Sequence, residues 1–147
     1  DRSHYEDVLA VRVRDLVPEA RWRKRYEHIR AFEQMLVDEG TTVVKLLLHI
    51  SKAEQAERLQ ARLDDPTKRW KLKLGDLDAR ARWDDYQRAF AEAIEETTTP
   101  EAPWYVIPAD KKWYRNWAVA TIMTAHLDAM GLTWPEPEED LSGVVID

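Results

Sequence analysis

Apolar positions along this chain alternate between a helical and a strand period, and the changes of period mark out its elements. Tyr5 to Leu16 predicts a short helix that stops before Pro18, whose fixed φ suits the first turn of the next helix. From there to Glu39, Trp22, Tyr26, Ile29, Phe32 and Leu36 recur at helical spacing, with Arg21, Arg23, Lys24 and Arg25 on the other sides and Gly40 as the stop. Thr41 to Ile50 reads as a strand, a run of Val and Leu broken by Lys45, in the pattern of a strand covered on both faces of a parallel sheet. Ser51 and Glu54 form an S-x-x-E capping box, and Ala53, Ala56, Leu59 and Leu63 give its helix an inward stripe as far as about Asp64. A second long helix runs from Asp76 to about Thr97 with Trp83, Tyr86, Phe90 and Ile94 on one side, ended by Pro100 and Pro103. Trp104 to Pro108 is a short strand, and Asp110 is placed to cap a final helix to about Met130. Trp83, Trp104, Trp113 and Trp117 are expected in the core.

The order strand, helix, helix, strand, helix is α/β, and right-handed crossovers make the two strands parallel. Two strands are too few for a parallel sheet, so further strands are expected ahead of Asp1, where the chain begins without methionine. At 147 residues with 44% apolar composition the chain has enough material for one domain core. Its net charge is −6, but five acids (Glu136, Glu138, Glu139, Asp140 and Asp147) follow Pro135, so the remainder carries only about −1. Cysteine is absent, which excludes a disulfide scaffold, a thiolate metal site and a cysteine nucleophile, and points to a cytoplasmic setting. No apolar run is long enough to cross a membrane as a helix.

Candidate chemistry concentrates between Asp65 and Lys73, DPTKRWKLK, where Lys68, Arg69, Lys71 and Lys73 surround Trp70 with no acid after Asp65. Such a cluster is either solvated or awaiting an anion, and the Asp65-Pro66 and Leu74-Gly75-Asp76 signals on its two sides make it a flexible loop between helices. Arg58 and Arg62 on the helix before it, and Arg80 and Arg82 on the helix after it, either pair with nearby acids or line a groove from two sides as substrate contacts. Trp70 serves as a stacking surface or as an anchor to the core. Lys111, Lys112 and Arg115 follow the last strand, at the end of the sheet where open α/β folds bind ligands. Near the start, Glu6 and Asp7 fit a solvated first helical turn as well as a metal or substrate-orienting site, and Asp1 fits an exposed acid as well as a magnesium ligand. The four glycines are isolated, so no Walker A loop is present.

Taken together, DRSHYEDVLAVRV, FEQMLVDEGTTVVKLLLHISKAEQAERLQARLDDPTKRWKL, GDLDARARWDDYQRAF and APWYVIPADKKWYRNWAV resemble the C-terminal half of the polyphosphate kinase 2 family, from Asp1 to about Leu132. The resemblance implies a thymidylate kinase-like, P-loop kinase sheet with a helical lid, whose Walker A half is missing here. It implies a domain portion over residues 1–132, a lid at about 65–82 and an acidic tail over 133–147. It further implies magnesium-dependent phosphoryl transfer between inorganic polyphosphate and AMP-, ADP- or GDP-type nucleotides in a homo-oligomer, without nucleic acid or membrane. Asp1 is then expected near magnesium and Arg2 near phosphate, with Glu6 or Asp7 in metal or nucleotide selection. Lys68, Arg69, Trp70, Lys71 and Arg80 fall in the lid. The SHYEDVL wording resembles the branch accepting both mono- and diphosphates. This stretch tested alone is expected to be inactive. The alternatives are a nucleoside monophosphate kinase using ATP, and a polyanion or single-stranded nucleic-acid binding module built on Trp70 and the loop cations.

Overall fold

A computed structural model describes residues 3–136, 138–139 and 142–145. The expected first helix is divided into a 3-10 turn, His4–Asp7, and α1, Ala10–Val13. Helices α2 (Glu19–Trp22) and α3 (Lys24–Asp38) then run nearly end to end. Gly40 closes α3 at φ 83°, a conformation that favours glycine, and this lets the Gly40 and Thr41 amides satisfy the carbonyls of Val37 and Leu36 at 2.9 Å each. Strand β1, Lys45–His49, is followed by α4, Lys52–Asp64. A basic loop containing the 3-10 turn Arg69–Lys71 leads to α5, Leu74–Ala81. The second long helix of the sequence reading is broken at Arg82, so α6 spans Trp83–Thr97. Strand β2 (Trp104–Pro108) and α7 (Lys112–Ala129) complete the order.

β1 and β2 pair in parallel, Lys45 opposite Trp104 through His49 opposite Pro108. The core lies beside this pair, where Tyr5, Val8, Leu9, Trp22, Tyr26 and Ile29 meet Ala89 and Ala93 of α6. Small residues, rather than Trp83, Tyr86 and Phe90, form the most buried stripe of α6, because alanines let the crossing helices approach closely. On α3 the stripe turns inward at Glu33, not Phe32, which is exposed.

The expectation of a strand covered on both faces is not met among the described residues. Leu48 and Val106 are exposed on the two-stranded sheet of the described residues, where no described helix covers them. Trp113 and Trp117 are exposed as well, on a face of α7 that no described element covers, so they are not core residues here.

Candidate active site

Because the strands are parallel, the turns after His49 and Pro108 emerge at the same end of the sheet, and the cavities gather there. One of about 350 Å³ is bounded by His49, Ile50, Gln55, Ala79 and Tyr86. His49 also borders a second, of about 400 Å³, lined by Ser51, Asp110, Lys111 and Trp113. Ile50, Gln55 and Ala79 border a third, of about 280 Å³, which carries Arg58, Arg62 and Asp76. Tyr86 joins the first to another of about 440 Å³ lined by Glu6, Asp7 and Arg14. The first three share walls in a branched groove along the carboxyl ends of the strands, where open α/β folds hold ligands, and the fourth meets it at Tyr86.

Long-range hydrogen bonds hold the groove's floor. Ser51 accepts the Glu54 amide at 3.1 Å, but Glu54 does not return the bond as the S-x-x-E pattern predicts; it accepts Arg58 Nε at 2.7 Å. The Ser51 amide donates instead to Asp110 Oδ1 at 2.7 Å. Asp110 therefore ties the β1 turn to the β2 turn and does not cap α7, whose N-cap position Lys111 makes no side-chain cap bond. That backbone donor holds the Asp110 carboxyl below its ordinary range. Arg58 completes the brace, donating to the carbonyls of Ala109 at 2.8 Å and Asp110 at 3.4 Å.

The basic loop is built from its own backbone. Asp65 Oδ1 accepts the Thr67 amide at 2.9 Å and hydroxyl at 2.7 Å, while Oδ2 pairs with Lys68 Nζ at 2.6 Å. Arg69 Nε donates to the Leu63 carbonyl at 2.7 Å, and Lys71 Nζ lies 5.1 Å above the Trp70 ring. Trp70 is 75% exposed and its indole N–H bonds to the Thr67 carbonyl, so it anchors the loop to itself and not to the core. Arg80 turns inward, donating to the Lys52 carbonyl at 2.6 Å and to Gln55 Oε1 at 3.0 Å, which fastens α5 to the start of α4.

Of the residues singled out from sequence, Lys68, Arg69, Trp70 and Lys71 thus share one exposed loop. Arg58 and Arg62 share a cavity wall, Arg58 as a brace; Lys111 and Lys112 stand at the uncapped start of α7. Glu6 and Asp7 lie together on the 3-10 turn, with Asp7 Oδ1 3.3 Å from Arg25 Nη1. Asp1 and Arg2 lie outside the described residues. No group of three or more potential metal-binding side chains occurs among the described residues, and Asp7 is engaged by Arg25. Magnesium keeps several waters and takes one or two carboxylates plus phosphate oxygens, so a site of that kind needs no such group.

Sequence reasoning missed a buried cluster at the opposite end of the strands. Glu33 Oε2 pairs with Lys45 Nζ at 2.8 Å, and Glu33 Oε1 accepts the Tyr5 hydroxyl at 2.6 Å. Its one visible signal was a lysine inside the apolar run of β1.

A parallel α/β scaffold with an exposed cation-rich loop and cavities at its strand ends has the architecture of a P-loop kinase-like fold. The family model "Polyphosphate kinase 2 (PPK2)" matches residues 1–133, and the chain belongs to this family of polyphosphate kinase enzymes. An AMP/ADP-polyphosphate phosphotransferase from Meiothermus ruber is 58% identical over 147 residues, covering 100% of this chain and 55% of that protein. An ADP-polyphosphate phosphotransferase from Rhodopseudomonas palustris is 39% identical over 92% of this chain and 51% of its own length. The crystal structure of polyphosphate kinase 2 from Arthrobacter aurescens TC1 superposes with a TM-score of 0.91 at 49% identity, over 97% of this chain and 50% of that one. The chain spans about half the length of these relatives.

Proposed function

We propose that the whole protein moves a phosphoryl group between inorganic polyphosphate and a nucleoside mono- or diphosphate, in a magnesium-dependent reaction. The observation that carries this reading is the exposed cluster of Lys68, Arg69 and Lys71, in which Asp65 answers Lys68 and whose flanking helices line the third cavity with Arg58, Arg62 and Asp76. Membership of the polyphosphate kinase 2 family supports it, as do relatives named as AMP/ADP-, ADP- and GDP-polyphosphate phosphotransferases.

In this reading the loop cations bind successive phosphates of the chain and neutralise the oxygens on which charge gathers during transfer. Arg80 holds α5 against α4, Arg62 and Arg58 line the approach, and Lys111 lines the second arm of the groove with Lys112 next to it at the start of α7. Glu6, Asp7 and Trp70 contact the nucleotide side, and Asp1 and Arg2 act beside the phosphates. A terminal oxygen of the acceptor phosphate attacks the terminal phosphorus of polyphosphate in line. The bond to the bridging oxygen breaks, and the polymer leaves one phosphate shorter. Positioning and charge neutralisation supply the catalysis, with no covalent enzyme intermediate. Magnesium supplies charge neutralisation on the phosphates when bound. The 147-residue stretch alone is expected to be inactive, and the active protein is taken to be a cytoplasmic homo-oligomer. The absence among described residues of any helix long and apolar enough to cross a membrane is compatible with that setting.

Luciferase detection of ATP formed from ADP, polyphosphate and magnesium by the whole protein tests the reading. ATP should accumulate, and long-chain polyphosphate should outcompete single-stranded DNA for the protein. No nucleotide product with either AMP or ADP would overturn the proposal, and ATP-driven phosphorylation of AMP untouched by polyphosphate would establish the monophosphate kinase instead.

A further inference from the structure

The groove and basic loop leave unused the most enclosed polar group in the described residues, the cluster of Tyr5, Glu33, Lys45 and Thr97, each buried. Glu33 Oε1 takes the Tyr5 hydroxyl at 2.6 Å and faces His4 Nε2 at 3.1 Å, and Glu33 Oε2 takes Lys45 Nζ at 2.8 Å. Lys45 Nζ also donates to the Thr97 carbonyl at 2.7 Å. The Tyr5 hydroxyl lies 3.1 Å from Thr97 Oγ1, which itself donates to the Ala93 carbonyl and accepts Trp104 Nε1 at 2.9 Å. Among the described residues no buried side-chain polar atom lacks a partner.

A buried ion pair gains little stability over apolar side chains of similar volume, so what it contributes is a fixed arrangement. Here the arrangement fixes the 3-10 turn His4–Asp7. Tyr5 is its one buried residue, and it meets α3, β1 and the end of α6 through a single hydroxyl, while its ring packs edge-on against Trp104 of β2 at 4.9 Å. On the same turn Glu6 and Asp7 line the cavity that meets the groove at Tyr86. A slip of the turn by one residue would carry the Tyr5 hydroxyl away from Glu33, and Oε1 would lose the shorter of its two contacts, the other being His4 of the same turn. We propose that Tyr5 is a positioning residue, whose hydroxyl on Glu33 sets the register of the turn that presents Glu6 and Asp7 to the groove. The inference rests on the proposed transferase reading only for its effect on turnover.

Tyr5→Phe in the whole protein tests it, because the ring stays against Trp104 while Glu33 keeps Lys45. Two readouts are needed: polyphosphate-dependent ATP formation, and hydrogen exchange of the amides in residues 5–9 against those of α3 and α6. The expected result is exchange at least about tenfold faster in the turn alone, with kcat reduced about tenfold and the KM for polyphosphate within about twofold of the parent. Unchanged exchange in the turn overturns the proposal, and so does faster exchange with unchanged kcat. If the unsubstituted protein makes no ATP from polyphosphate, the transferase reading fails by itself, and the exchange arm then decides whether the hydroxyl holds the turn.

Discussion

Two clusters of charge lie at opposite ends of the short sheet, and they differ in every respect that decides what charge is for. Toward the amino ends of the strands, Glu33 and Lys45 are enclosed and answered atom for atom by Tyr5, His4 and Thr97. Beyond the carboxyl ends, Lys68, Arg69 and Lys71 stand in solvent and lean on one carboxylate, one backbone carbonyl and one aromatic face. Inside protein an unpaired charge is costly, so the first cluster must be complete for the chain to fold. In water an incomplete cluster costs little, so the second can remain short of anions and take one from a ligand. Completeness suits a structural role, and deficit is what the proposed anion-binding role requires.

The sharpest way to break this comparison is to remove a partner from each. Lys45→Met should strand the Glu33 carboxylate and cost about 3–5 kcal/mol in urea unfolding of the whole protein, whereas Glu33→Gln with Lys45→Met should recover much of that loss. A harmless Lys45→Met would mean that the enclosed cluster is not what holds these elements together. Next in size, Lys68→Ala with Arg69→Ala should lower turnover on the order of 100-fold while moving the melting temperature by less than about 2 °C. Loss of folding in that variant would make the loop structural and collapse the distinction between the two ends.

The two ends were also unequally legible in the sequence. The basic loop was plain because its evidence is local: four cations around Trp70 between an Asp-Pro and a Gly-Asp signal. The strands were plain for the same reason, with Trp104–Pro108 matching its expected limits and β1 falling inside Thr41 to Ile50. What stayed hidden was pairing across long sequence separations. Nothing local singles out Glu33 beside Phe32, and only the fold brings it to Lys45 and Tyr5. Asp110 looked like the cap of its own helix until the turn after β1 presented the Ser51 amide to it. Trp113 and Trp117 looked like core by type, but burial depends on what lies opposite, and no described element covers them.

The smallest effect concerns the one acid that the loop cations share. Asp65 is held down to about 2 from an ordinary 3.8, first by Lys68 and then by the Thr67 hydroxyl and amide. A carboxyl whose pKa is lowered on folding adds its share of stability above 3.8 and loses it as pH falls through about 2, so the contribution is constant at neutral pH. Being exposed, the pair is screened, and its worth to folding is small. Carbon-detected NMR titration of the Asp65 carboxyl should place its midpoint near 2, and Lys68→Ala should raise it toward 3.8 without reaching it, because Thr67 still donates. Raising ionic strength should shift the parent in the same direction and leave the Lys68→Ala protein nearly unmoved. A parent midpoint already at the ordinary value would show Lys68 unpaired in solution, and the loop would then be still poorer in anions than its geometry indicates, widening the contrast with the enclosed pair at the other end.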